Sequence, residues 1–250
     1  MLTVGWAKRS VPTSTTKQPP PCGQPFTGFT MFANSRPVTS SQPGPHSRLA
    51  EVVARHAQHP FQKPFADYNR AAYTTLLAAW DGRTPLVLDT GCGVGASTLN
   101  LAAQQPDHFV VGIDQSLDRL QRGKPAPLPD NALLLRADMV DIWRLLAADG
   151  IRPAQQWMLY PNPWPKPEHL QRRWHGHAVF PIALALGGRL ELRSNWQTYA
   201  EEHALAVSQL CGQPCQAERW QPQDFLTPFE RKYHHSGHAL WRVVIDLPSA

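Results

Sequence analysis

The chain has 250 residues, of which 42% are apolar, and a formal net charge of +5. This composition supports one substantial core, so a single α/β domain is expected, and the mild positive charge permits a polyanionic partner without requiring one. No apolar run reaches the roughly 18–20 residues of a membrane span, and the N-terminus has no apolar signal-peptide core, so we expect no membrane association.

Cysteine usage indicates the redox compartment. The four cysteines, Cys22, Cys92, Cys211 and Cys215, contain no Cys-x-x-Cys pair, which favours a reducing, cytoplasmic setting over a disulfide framework. Cys211 and Cys215 lie near histidines, but their spacing is not a usual zinc-ligand pattern. We therefore predict no bound metal.

The N-terminal region differs in composition from the rest of the chain. Residues 1–45 are rich in Pro, Ser, Thr and Gln, and such a segment buries too little apolar surface to offset its chain entropy. We predict a disordered extension over residues 1–45 and a folded domain over residues 46–250. The start codon stays open between Met1 and Met31.

Periodic apolar residues predict the elements of the folded domain. Helices are expected at 48–56 and 68–80, followed by strands near residues 86–89, 109–113, 132–135, 156–160, 188–193, 215–220 and 239–246. The last two strands have no full crossover between them, which predicts an antiparallel pair. The fold class is α/β, a Rossmann-like three-layer sandwich with a seven-stranded, mostly parallel sheet and an antiparallel strand near the C-terminus.

The segment from Leu86 to Gly95, LVLDTGCGVG, joins the first strand to a helix through a glycine-rich turn. Gly91, Gly93 and Gly95 are spaced G-x-G-x-G, which is not the G-x-G-x-x-G of a dinucleotide loop. Asp89 ends the strand just before the glycines, an arrangement expected for S-adenosylmethionine (SAM), whose methionine part this carboxylate can reach. A tight turn without a ligand is the alternative.

The next two strands also lead to acidic residues. Asp114 lies 25 residues beyond Asp89, where a carboxylate at a strand end binds both ribose hydroxyls, and Asp138 follows the third strand, where it can touch an adenine edge. Each acid alone is as easily a helix N-cap or a solvated turn. Because ligands of open α/β sheets bind at the carboxyl ends of the strands, the three together predict a SAM site that also includes Gly91, Gly93 and Gly95.

The fourth strand ends in Pro161-Asn162-Pro163-Trp164, which precedes the basic residues Lys166, His169, Arg172 and Arg173. Two further motifs follow in order, Ser194-Asn195-Trp196 with Tyr199-Ala200, and Thr227-Pro228-Phe229-Glu230 with Gly237-His238. With these motifs the chain resembles the bacterial tRNA (guanine-N7)-methyltransferase family, over roughly residues 70–247. The resemblance implies a class I SAM-dependent methyltransferase that methylates guanine N7 in the variable loop of tRNA and releases S-adenosylhomocysteine.

The resemblance also implies roles for individual residues. Asn162 is placed at the reacting centre and at the cofactor, and the implied substrate-binding set is Lys166, Arg172, Arg173, Asn195, Thr227, Phe229 and Glu230. The three basic residues are expected to contact RNA phosphates, with a solvated helix face as the alternative. Taken without the resemblance, residues 228–235 are typical of a charged hairpin loop. A monomer or homodimer is expected.

Two positions depart from the family pattern, because Asn162 and Asn195 stand where the family has aspartate. Asparagine keeps one acceptor oxygen, loses the charge and gains two donors. Guanine N7 has a free lone pair, so no base has to remove a proton, and orientation can supply most of the rate. The alternatives are another nucleic-acid or small-molecule substrate, including an exocyclic amine, and a catalytically silent SAM- or RNA-binding paralogue.

Overall fold

The computed structural model describes residues 34–122 and 128–248. Most of the predicted disordered extension, and the choice between Met1 and Met31, lie outside these ranges. Residues 34–46 have no helix or strand, but hydrogen bonds from Ser35, Ser40 and Gln42 join them to the folded domain. The division at residue 45 stays a prediction.

The helices and strands alternate along most of the described chain. In order they are α1 (Leu49–Gln58), α2 (Asp67–Ala79), β1 (Leu86–Thr90), α3 (Ala96–Gln104), β2 (Phe109–Asp114), α4 (Leu117–Arg122), β3 (Ala132–Arg136), α5 (Met139–Ala148), β4 (Gln155–Leu159), α6 (Phe180–Ala185), β5 (Gly188–Ser194), α7 (Gln197–Cys211), β6 (Glu218–Trp220), α8 (Pro228–His235) and β7 (Leu240–Leu247). Two 3-10 turns, Pro167–Arg172 and Trp174–Gly176, lie between β4 and α6. The predicted helices at 48–56 and 68–80 and all seven predicted strands are confirmed.

The hairpin loop expected at residues 228–235 is wrong, because this segment is helix α8. Its N-terminus has two helix-start features that the charged composition obscured. Thr227 caps the helix by accepting a hydrogen bond from the Glu230 amide, and Pro228 occupies the first turn, where its missing N–H has no intrahelical partner to lose.

The seven strands form one sheet in the order β3-β2-β1-β4-β5-β7-β6. Strands β1 to β5 are parallel, and β7 runs antiparallel to both β5 and β6. From β1 the chain first builds the sheet outward in one direction, through β2 to β3. It then returns to β4 on the other side of β1 and builds in the opposite direction, so the order reverses between β1 and β4. In open α/β sheets such a switch point leaves a crevice at the carboxyl ends of the strands, where ligands bind.

The sheet divides the core in two, because successive residues of a strand point to opposite faces. Leu86 and Leu88 of β1 belong to a large cluster with α1, α2, α5, α6 and α7, whereas Val87 packs with Leu101 and Ala102 of α3. Strands β1 and β2 are buried along their whole length, as expected for parallel strands covered on both faces. Within the described ranges, no helix is long and apolar enough to cross a bilayer.

Candidate active site

The glycine turn after β1 is held close to β2 by its own backbone. The amides of Gly91 and Cys92 both donate to the carbonyl of Ile113, over 2.8 and 3.1 Å. Gly95, at the start of α3, has φ 81°, and a Cβ there would lie 2.7 Å from a Leu134 methyl carbon. A larger residue at 95 would therefore strain the backbone, and the Leu134 side chain would have to shift.

Asp89 is a buried carboxylate with one unused acceptor. Its Oδ2 accepts hydrogen bonds from the hydroxyls of Ser97, at 2.6 Å, and Thr98, at 2.7 Å. Its Oδ1 is buried and has no partner among the described residues. Burial raises the pKa of Asp89 to about 6, because a charged form is poorly solvated there. A buried, unpaired carboxylate oxygen is a site for a cationic or strongly donating ligand group.

Asp114 connects the end of β2 to the glycine turn. One carboxylate oxygen accepts from the Gly93 amide at 2.9 Å, and the other accepts from the Ser116 amide at 2.8 Å. The guanidinium of Arg119 lies 3.4 Å from the second oxygen. Each carboxylate oxygen has two acceptor positions, so Asp114 can hold the turn and still accept bonds from a ligand.

Asp138 is a helix N-cap, the alternative role that the sequence left open. Its carboxylate accepts from the Val140 amide at 3.0 Å and so caps α5. Its own amide donates to Asn69 Oδ1 at 2.8 Å, and Asn69 in turn donates to Asp141 at 2.6 Å. The adenine contact of Asp138 stays a prediction alongside this capping role.

Asn162 lies in a loop that follows β4, the strand next to β1 in the sheet. We call residues 161–167 the proline loop, because every second residue from 161 is proline. Asn162 is exposed, and its Oδ1 accepts from the Trp164 amide at 3.3 Å. Tyr160 and Trp164, with φ 52° and 44°, are the non-glycine residues with positive φ in the described chain. Such backbone strain persists only where surrounding contacts hold it, and it is frequent at functional sites.

Some of the basic residues in and after the proline loop are exposed, and one is buried. Lys166 and Arg172 are exposed, and the Arg172 guanidinium lies 4.8 Å from the centre of the Trp164 ring. Arg173 has no exposed side-chain surface and forms an ion pair with the equally buried Glu202. The predicted phosphate contact is therefore wrong for Arg173, because its guanidinium has no solvent-facing side, and it remains a prediction for the other two.

Glu230 is a second buried carboxylate in a role that the resemblance did not indicate. It has no exposed surface, and its acceptors are used by four donors, which are the Tyr160 hydroxyl, Arg193 Nη1, Trp220 Nε1 and the Leu226 amide. Glu230 thus ties α8 to the end of β4, and its substrate-binding role stays a prediction alongside this structural one. Thr227 is also buried, as the cap of α8.

Phe229 and Asn195 lie on the more open side of the same region. Phe229 is 52% exposed and stacks on Tyr233 with ring centres 6.1 Å apart. Tyr233 stacks in turn on His238 at 5.3 Å, and His238 Nδ1 lies 3.2 Å from Asn195 Nδ2. Phe229 of α8 and Asn195, directly after β5, are thus linked through the rings of Tyr233 and His238.

Sequence reasoning missed several residues that hold this site together. Tyr160 and Arg193 carry the Glu230 network, and Glu202 pairs with Arg173. One signal was available, since Glu202 and His203 interrupt an α7 face that is otherwise buried and largely apolar. Arg193 gave no comparable signal, because a charged residue at the end of a strand is ordinarily exposed.

Two further observations concern where a metal or another ligand could bind. No group of three or more His, Cys, Asp or Glu side chains in the described chain is arranged to hold a metal ion. A cavity of about 490 Å³ lies beside Pro85, before β1, and Pro153, before β4. It therefore sits at the amino ends of the strands, opposite the carboxylates, and no acidic residue lines it.

The family model and the curated relatives assign this sheet, with its glycine turn and strand-end carboxylates, to the methyltransferases. A family model described as "Putative methyltransferase" matches residues 83–243. The chain is 34% identical over 185 residues to a tRNA (guanine-N(7)-)-methyltransferase of Nocardioides sp., covering 69% of this chain and 70% of that protein. A tRNA (guanine-N(7)-)-methyltransferase of Treponema pallidum is 32% identical over 165 residues, covering 62% of this chain and 64% of that protein.

The chain belongs to the tRNA (guanine-N(7)-)-methyltransferase family. Among solved structures, the 16S rRNA methyltransferase KamB aligns with a TM-score of 0.49 and 19% identity, covering 74% of this chain and 95% of its own. A likeness this distant has no bearing on the assignment.

Proposed function

We propose that this protein transfers the methyl group of SAM to N7 of a guanine in the variable loop of tRNA. The observation that carries the proposal is the meeting of two sets of residues at the switch point of the sheet. The glycine turn with Asp89 and Asp114 ends β1 and β2, and the proline loop with Asn162 follows the adjacent β4. We therefore propose that cofactor and base bind at the carboxyl ends of these neighbouring strands.

SAM is the cofactor, and it supplies an electrophilic methyl group on a sulfonium. The residues at the glycine turn fit SAM. Asp89 Oδ1 is buried and accepts no hydrogen bond from the described residues, and the ammonium of the methionine part can donate one. Asp114 retains acceptor positions for the ribose hydroxyls. Asp138 is proposed for the adenine edge.

Asn162 is proposed to orient the guanine. N7 carries a free lone pair, so the protein has to align the base and does not have to remove a proton. The Asn162 amide has an acceptor for guanine N1–H or N2–H and donors for O6. Loss of the family's carboxylate therefore weakens one charge-assisted bond without removing an essential base.

RNA binding is proposed for the exposed residues around the proline loop. Lys166 and Arg172 can neutralise phosphates, and the exposed ring of Phe229 can stack on an unpaired base. Because tRNA is the proposed substrate, we place the protein in the cytoplasm, as a monomer or homodimer.

The proposal is tested by transfer of a radiolabelled methyl group from SAM to an unmodified tRNA transcript. A transcript with its variable-loop guanines changed to adenine is the matched control. We expect label in the first transcript and none in the second. Equal labelling of both, or labelling of neither, contradicts the proposed substrate.

A further inference from the structure

The proline loop has few means of holding its own shape. Residues 161, 163, 165 and 167 are prolines, which lack a backbone N–H, and Trp164 has a strained φ of 44°. The conformation that presents Asn162 must therefore depend on contacts from elsewhere. The structure provides them at three consecutive backbone carbonyls, those of residues 164, 165 and 166.

Two side chains donate to these carbonyls. Arg173 donates to the Trp164 carbonyl from Nε at 3.2 Å and from Nη2 at 3.1 Å, and Nη2 also lies 3.3 Å from the Lys166 carbonyl. The carbonyl between them, that of Pro165, accepts from the Ser40 hydroxyl at 2.5 Å. Ser40 lies in residues 35–46, which we call the N-terminal segment.

The N-terminal segment also holds Arg173 in place. Gln42 Oε1 accepts from Arg173 Nη2 at 3.1 Å, and Gln42 Nε2 donates to Glu202 at 2.6 Å. The His46 amide donates to the same Glu202 oxygen at 2.8 Å. The other oxygen of Glu202 accepts a hydrogen bond from Arg173 Nη1 at 2.5 Å and lies 2.8 Å from His175 Nε2. Gln42 therefore bridges both partners of a buried ion pair.

The start of the segment contacts the other side of the site. The Ser35 amide lies 3.1 Å from the Ser236 hydroxyl, and the Ser35 carbonyl lies 2.9 Å from His238 Nε2. His238 in turn contacts Asn195. The N-terminal segment thus joins the end of α8, the proline loop and α7 in succession.

We infer that Ser40 and Gln42 are positioning residues, which fix the proline loop in the shape that aligns the target base with the methyl group. This inference rests on the proposed function. Displacement of a reacting group by about 1 Å can lower a rate by about 100-fold, so the loss of a loop contact should act on the methyl-transfer step. SAM binding at the glycine turn should be unaffected.

The test compares Ser40→Ala and Gln42→Ala with Ser41→Ala, a matched control at an exposed neighbour. Ser40→Ala removes the bond to the Pro165 carbonyl, and Gln42→Ala removes the bonds to Arg173 and Glu202. Each loss should lower kcat for tRNA about five- to tenfold. The SAM Kd should stay unchanged, and melting temperatures should stay within about 4 °C. Ser40→Thr keeps the hydroxyl and should restore kcat, which a general packing defect would not allow.

Hydrogen–deuterium exchange of the peptide spanning residues 161–172 gives a readout independent of activity. Ser40→Ala should accelerate exchange in this peptide, whereas Ser41→Ala should not. If the wild type methylates tRNA and the two variants match it in kcat, the inference is overturned while the proposed function stands. If the wild type is inactive but the exchange difference appears, the proposed function fails and the loop contacts are supported. Unchanged exchange overturns the inference in either case.

Discussion

Asn195 and His238 form a matched hydrogen-bonded pair. Nδ2 of Asn195 lies 3.2 Å from Nδ1 of His238, and Nε2 of His238 lies 2.9 Å from the Ser35 carbonyl. A carbonyl only accepts, so Nε2 carries the proton, and Nδ1 is then the acceptor that an amide donor requires. An aspartate at 195 would instead require a proton on Nδ1 as well. The amide at position 195 is therefore matched by the acceptor of its partner.

Removal of the Asp114 carboxylate should weaken SAM binding. Asp114→Ala removes charge-assisted bonds to the ribose and the contact to Gly93, so we expect a loss of roughly 1.5–3 kcal/mol, or about 10- to 150-fold in Kd. Asp114→Asn keeps one acceptor oxygen, so its Kd for SAM should lie between those of the wild type and Asp114→Ala. Calorimetric titration measures both, with Asp118→Ala, an exposed acid of α4, as the control. Unchanged affinity in Asp114→Ala would remove this residue from the cofactor site.

SAM affinity should depend on pH through Asp89. Only the ionised carboxylate can pair with the ammonium of SAM, and burial raises the pKa of Asp89 to about 6. Affinity should therefore rise by up to about tenfold per pH unit below 6 and level off above it. The same raised pKa means that Asp89 stabilises the free protein at low pH and that this contribution is lost as the pH rises from about 4 to about 6.

Calorimetry between pH 5 and pH 8 measures this dependence. Asp89→Asn is the control, and it should bind weakly with no step near pH 6. An identical pH profile in the two proteins would show that Asp89 does not contact the ammonium.

Exposed cations beside the proline loop should set the salt dependence of tRNA binding. Lys166→Ala and Arg172→Ala should each weaken binding and reduce the slope of log affinity against log salt by roughly 0.7–0.9. Fluorescence anisotropy over a salt series measures the slope, and Arg152→Ala, at the opposite edge of the sheet, should leave it unchanged. A slope that does not change in either loop variant would assign these residues to a solvated surface.

The Arg173–Glu202 ion pair should stabilise the folded protein, and this stabilisation should be lost at acid pH. Arg173→Ala leaves Glu202 buried without its main counter-charge, and we expect a loss of about 3–5 kcal/mol in the free energy of unfolding at pH 7. Burial acts to raise the pKa of Glu202, but hydrogen bonds and charge from His175 and Arg173 outweigh it and lower the pKa to about 2. The contribution of Glu202 is therefore present above about pH 4.5 and is lost as the pH falls towards 2.

Urea denaturation of wild type and variant across pH 3–7 checks this expectation, and the difference between them should narrow at the acid end. Arg172→Ala is the matched control, an adjacent but exposed arginine that should change stability by no more than about 0.5 kcal/mol. Equal effects of the two arginines would contradict the structural role of Arg173.

Local patterns predicted the sheet and the glycine turn, because both depend on short-range sequence. Uninterrupted apolar runs such as 109–113 specify buried parallel strands, and the acids at their ends follow directly along the chain. Helix α8 was harder to predict, since its N-cap Thr227 and first-turn Pro228 stand in a charged segment that resembles a loop.

Burial of charge is the part of the site that no local pattern predicted. Arg172 and Arg173 are adjacent and identical in type, yet one is exposed and the other is buried. The difference arises from Glu202, 29 residues away on α7, and from Gln42, which lies 131 residues before Arg173. Pairings over such distances depend on the tertiary fold, so a basic run alone predicts only phosphate contacts.

The most direct test of the account locates the methyl group on the product. Wild-type protein should methylate unmodified tRNA, and aniline cleavage should place 7-methylguanine in the variable loop. Asn162→Asp should change the rate only modestly, because no proton has to be taken from N7. Product at an exocyclic amine, or no transfer by a wild type that binds SAM firmly, would contradict the account. Transfer that appears only in the Asn162→Asp, Asn195→Asp double variant would show that the asparagines mark lost activity.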